Sequence, residues 1–239
     1  MQLFRSILSR RMLALILCAI LIYVNAFTSV KVFAKVCTNQ PAFRCTANKQ
    51  AEADQAHNNN LAITAKAAVL IDNASGRILY AKNKDKKLIP ASITKIMTLL
   101  LIFESIEQGK CKLEDKVTVS EYAASMGGSQ VFLEPGETQD VNTMIKCISI
   151  ASANDAAVAM AEHLAGSEQS FVKRMNKKAK ALGMKHTHFK NCNGLDDSIE
   201  SGHYSSAYDV ALMSQSLVSK YPDISKYSTV SVSYTHLTL

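Results

Sequence analysis

The 239-residue sequence has no tryptophan and only four prolines, and it carries no glycine-rich phosphate loop. No set of cysteines and histidines stands at the spacing of a zinc site. These absences argue against a nucleotide enzyme and against a metalloenzyme, and no cofactor is expected. There is also no dense block of like charge. Lys plus Arg total 27 against 20 Asp plus Glu, a formal net charge of +7. Part of that excess is Arg5, Arg10 and Arg11, in an opening stretch that holds no acid. The remainder is spread thinly, too mild for a nucleic-acid partner but suited to work beside an anionic polymer. With 48% hydrophobic and 20% charged residues, a disordered polyelectrolyte is excluded.

What is present begins with an export signal. The three arginines precede an apolar run from Met12 to Val24, shorter than the ~20 residues a membrane-spanning helix needs and suited to the core of a secretory signal peptide. Val24-Asn25-Ala26 and Val32-Phe33-Ala34 are cleavage candidates; an uncleaved N-terminal anchor is the alternative. The reading is a signal peptide over 1–34, a polar linker over 35–62 and a folded body over 63–239, located outside the cytoplasmic membrane. Of the six cysteines, Cys18 lies in the signal core and leaves an odd five, which argues against a full disulfide framework. Cys37 and Cys45 lie close together and are a candidate pair. Cys111, Cys147 and Cys192 read as isolated, mostly buried thiols without a neighbouring histidine.

Within the body, Ala67–Ile71 and Arg77–Tyr80 are apolar runs around a Gly-containing turn, which predicts a β-hairpin. Ile93, Ile96, Met97, Leu100 and Ile102 predict a buried helix over 92–108. Val117–Val119 reads as a short strand. Helical periodicity returns over 141–149, 155–164 and 169–182, and Ser206-Ala207-Tyr208-Asp209 has a capping-box pattern before a last helix to about Ser219. The expectation is an α+β fold with an incomplete sheet.

Ser92-Ile93-Thr94-Lys95 places a hydroxyl and an amine three residues apart at the start of the buried helix, on one face. Serine is a weak nucleophile until a base takes its proton, and lysine is that base only where burial or a helix N-terminus disfavours its charge. The alternative for Ser92 is a helix N-cap. Ser170 and Lys173 share the same spacing but sit in a lysine-rich amphipathic stretch, where a solvated face is expected. Ser152-Ala153-Asn154 adds a second hydroxyl able to relay a proton and an amide able to hold the lysine and a substrate carbonyl; its alternative is a helix-cap pair.

This order of motifs resembles the penicillin-recognising serine enzymes, and the wider text is similar to the low-molecular-mass penicillin-binding proteins, the D-alanyl-D-alanine carboxypeptidases. The resemblance is carried by Pro90–Thr98, Gly128–Glu137, Ser152–Ala157, Asn193–Asp197 and His203–Asp209. It implies a β-lactamase/transpeptidase-like α+β fold, with helices packed on an antiparallel sheet. It implies that Ser92 attacks the carbonyl between the last two D-alanines of a peptidoglycan stem peptide, with Lys95 as base, Ser152 as proton relay and Asn154 as substrate and lysine ligand. β-Lactams would acylate the same serine, and the full-length protein could associate with the membrane.

The family's third motif, Lys-Thr-Gly on a strand lining the site, has no counterpart: no Lys or His is followed by Thr-Gly or Ser-Gly. Ser233–Leu239 also reads as foreign to the family. The expectation is a truncated chain whose C-terminal strands are missing, and which turns substrate over poorly or not at all. A class A β-lactamase would add a Glu-x-x-x-Asn pattern, which the chain lacks. A non-catalytic wall-binding or penicillin-sensing module is the remaining rival. His186-Thr187-His188 finds no third metal ligand at sensible spacing.

Overall fold

The computed structural model describes residues 30–35, 63–195 and 201–230. Most of the expected signal peptide, the linker with Cys37 and Cys45, and Ser233–Leu239 lie outside the described residues.

The expected hairpin forms. Strand β2 (Ala67–Asp72) pairs antiparallel with β3 (Ile78–Lys82). Its turn is closed by Asp72, whose carboxylate accepts from Ser75 N and Oγ at 2.8 and 2.6 Å, and by Gly76 at φ +72°. The sequence left one strand unread: β1 (Val30–Lys35) lies across the expected signal–linker boundary and pairs in parallel with β2, so the sheet is mixed. Its Val-Lys-Val-Phe text suits a strand as well as a cleavage region.

The chain then enters a 3-10 turn, Ala91–Thr94, continuous with helix α1 (Lys95–Glu107), whose Met97–Phe103 are all buried. A small antiparallel ribbon follows, from β4 (Lys116–Thr118) and β5 (Thr138–Asp140). The short helix α2 (Glu121–Ala124) lies between them, capped by Ser120 Oγ accepting from Ala123 N at 2.9 Å. Helices α3 (Val141–Ile150), α4 (Asn154–Ala165), α5 (Glu168–Ala181) and α6 (Ala207–Lys220) complete the body, before a short α7 (Ser225–Ser228). The helices expected from periodicity are all present, displaced by one or two residues. At α6, Ser206 Oγ accepts from Asp209 N at 3.2 Å, but the Asp209 carboxylate turns to His186 N and Thr187 Oγ1, both at 2.7 Å.

Helix α4 is the axis of this arrangement. Every residue from Asn154 to Ala161 is buried, and four of those eight are alanine. A helix apolar on all sides belongs inside a core, and alanine lets α1, α3 and α5 approach it closely. The sheet is carried separately: Ala67, Val69 and Ile71 of β2 pack on Ala207 and Ala211 of α6. Phe171 of α5 is fully buried in the main core. Phe171→Ala should lower stability by about 3–5 kcal/mol, measured by urea unfolding; a loss under ~1 kcal/mol would show that the core repacks there.

Candidate active site

Pro90 opens the 3-10 turn, and Ala91 takes the left-handed backbone, φ +47°. A 3-10 turn has three residues per turn, so i and i+3 eclipse one another more closely than on an α-helix. Ser92 and Lys95 are so placed. Ser92 is exposed while Lys95 keeps 3% of its accessible surface, so a hydroxyl faces solvent above a buried amine. No side chain caps this turn; Ser92 is not the N-cap.

Lys95 Nζ has three acceptors: Asn154 Oδ1 at 2.6 Å, Asn193 O at 2.8 Å and Ser92 Oγ at 3.3 Å. Burial lowers its pKa to about 8, against the opposing pull of Cys192 and Asp155. A neutral amine has two N–H bonds and one lone pair. In the neutral form the two shorter contacts can take the N–H bonds, leaving the lone pair for Ser92 Oγ.

The amide of Asn154 is itself fixed on both sides. Nδ2 donates to Gly127 O at 2.7 Å, which identifies Oδ1 as the atom facing the lysine, and Asn154 N donates to Ser129 O at 2.7 Å. Gly128 lies between these contacts at φ +73°, where an added Cβ would stand 2.9 Å from Asn154 Nδ2. The fully buried Asp155 accepts from Val131 N and Leu133 N, both at 3.1 Å, holding Phe132 between them at φ +60°.

Ser92, Lys95 and Asn154 are thus brought together as expected. Ser152 is half-buried two residues before Asn154, in the left-handed region at φ +56°. No hydrogen bond joins its hydroxyl to Ser92 or Lys95 among the described residues. It is not a helix cap either, since Ala153 holds that position without a side-chain bond. Ser170 Oγ accepts from Ser167 Oγ at 2.9 Å and Lys173 is exposed, the solvated face expected there. His186 faces Asp85, whereas His188 Nδ1 bonds Gly202 O, so the two rings have different partners.

The sequence reading gave no role to Asn193, whose contribution is a backbone carbonyl that any residue possesses. The signal lay in Gly194, at φ +83°. A Cβ there would come 1.8 Å from Ala91 O, so only glycine lets this loop press against the turn that presents Ser92. The same strand of chain is stitched to α1 by Thr98 Oγ1 donating to Cys192 O at 2.5 Å. Thr94 Oγ1 bonds His203 Nε2 at 2.9 Å, and His203 Nδ1 accepts from Lys190 N.

The profile of the D-alanyl-D-alanine carboxypeptidase family (peptidase S11) matches residues 50–238, spanning all of these groups. The chain belongs to this family. D-Alanyl-D-alanine carboxypeptidase DacF of Bacillus subtilis is 57% identical over 178 residues, covering 74% of this chain and 45% of that protein. Escherichia coli DacA is 42% identical over 167 residues, 67% of this chain and 41% of its own length. Among solved structures, the carboxypeptidase DacD of Francisella tularensis superposes with a TM-score of 0.68 at 35% identity, covering 76% of this chain and 43% of that one. Penicillin-binding protein D2 of Listeria monocytogenes, in its ampicillin-bound form, gives 0.62 at 29%, covering 70% and 67%. The chain therefore has the α+β fold of the penicillin-binding proteins, and spans less than half the length of these curated relatives.

Gly194→Ala should displace the Ala91–Ser92 turn and lower stability by about 2–4 kcal/mol. Denaturant unfolding measures it; an unchanged midpoint would mean the loop has room the geometry denies.

Proposed function

We propose that the protein is a serine-type D-alanyl-D-alanine carboxypeptidase acting outside the cytoplasmic membrane on peptidoglycan stem peptides. The observation that carries this is the Lys95 amine, buried, held by Asn154 and Asn193, and aimed at an exposed serine. Neutral Lys95 takes the Ser92 proton as Oγ bonds the carbonyl carbon between the two D-alanines. The tetrahedral adduct collapses by breaking the C–N bond, and the departing nitrogen of D-alanine receives a proton through Ser152. Water then attacks the ester, returning Ser92 and the shortened peptide. A β-lactam ring opens by the same attack, but its leaving nitrogen stays tethered. Asn154, already donating to Gly127 O, holds the lysine in register rather than moving during the reaction.

A fluorescent penicillin tests the assignment. It should form a lasting adduct, and Ser92→Ala should abolish it; an adduct that survives overturns the role of Ser92. A rapidly lost adduct would mark a β-lactamase, and none at all a binding module.

The pH profile follows from the amine. Below pH 8, each unit of acidification should cut the acylation rate about tenfold, because the base is protonated; above about 8 the rate should level off. Stopped-flow acylation between pH 6 and 9 reads this directly, and a flat profile would remove Lys95 as the base.

A further inference from the structure

Away from Ser92, three side chains from two segments converge. Cys111 follows α1, Asp115 lies four residues further on, and His163 stands in the last turn of α4. One ligand atom from each lies within 4.8 Å of the others. The sulfur is buried, the carboxylate half-buried and the imidazole exposed, so solvent reaches the cluster from the histidine and carboxylate side.

Two of the three groups sit on a rigid loop. Lys112 N donates to Asp115 Oδ2 at 2.8 Å, and Asp115 N donates to Lys112 O. Val141 N and Asn142 N of α3 donate to Asp115 O and Leu113 O, at 3.1 and 3.0 Å, so the loop is fixed to a helix start. The Lys112 contact orients the Asp115 carboxylate and leaves lone pairs free for a metal. His163 stands among the C-terminal carbonyls of α4, where the helix dipole favours positive charge. Thiolate, imidazole and carboxylate form a borderline-soft donor set that suits zinc and selects against magnesium or calcium.

We propose that Cys111, Asp115 and His163 bind one divalent transition ion of the zinc type, with water as the fourth ligand. The thiol releases its proton to solvent as the sulfur–metal bond forms. The consequence is mechanical. The ion ties the end of α4 to the loop after α1, and the opposite ends of those two helices carry Asn154 and Lys95. The sequence hid this set because Cys111 and Asp115 are only two ligands and the third comes from another helix.

The test uses the full 239-residue chain, reduced and stripped of metal, titrated with zinc against a chromophoric chelator and with cobalt. One equivalent of zinc should bind, and cobalt should show a thiolate charge-transfer band with tetrahedral d–d bands. Cys111→Ser should remove the charge-transfer band, and it and His163→Ala should each weaken zinc by ~100-fold or more. His163 is exposed, so its replacement leaves the fold intact by circular dichroism, and His186→Ala should bind as wild type. No zinc bound by the wild-type chain at stoichiometric concentrations overturns the site. So does a Cys111→Ser variant that keeps both its affinity and the band.

Discussion

The site depends on one desolvated amine. Lys95 is buried, and its three contacts, to a side-chain amide, a backbone carbonyl and a hydroxyl, are all neutral. Neutral acceptors hold the nitrogen in place without an ion pair to anchor its charge. Asp155, one residue from Asn154, spends its carboxylate on Val131 N and Leu133 N instead. Were that carboxylate turned to the amine, the proton would stay on nitrogen and the base would be lost. Positioning and basicity are thus served by different residues.

Backbone strain gathers around this amine. Of the four non-glycine residues in the left-handed region among the described residues, Ala91, Phe132 and Ser152 belong to the three segments that border Ser92 and Asn154. Each conformation costs roughly 1–3 kcal/mol and persists only where surroundings over-determine it. The over-determination is visible: Gly194 against Ala91, the Asp155 carboxylate on both sides of Phe132, and the buried start of α4 after Ser152. The alanine-rich core around α4 is the stable element from which these strained turns are hung.

The helices, the hairpin and the Ser92–Lys95 pair were legible because each rests on a local pattern: periodicity, a turn glycine, or a spacing that one turn brings to a single face; Asn154, 59 residues from Lys95, was joined to them only by the resemblance its Ser-x-Asn motif carries. The 3-10 character of the turn at Ser92 was not legible, since it differs from an α-helical start by less than one residue of spacing. Asn193 was hidden for a deeper reason. Its carbonyl acts independently of side-chain identity, so only the neighbouring glycine left a trace in the text. Strand β1 was obscured because an alternating apolar segment after a signal-like run serves two readings equally well. Cys111, Asp115 and His163 met only through packing of helices distant in sequence, which no local pattern records.

The partners of Lys95 lie 59 and 98 residues along the chain. Closing loops of that length comes late in folding, after local helices have formed. Until both closures are made, the amine is hydrated, keeps its proton, and leaves Ser92 an ordinary alcohol. The lowered pKa of this amine is therefore a property of the finished tertiary structure alone, absent from an immature chain.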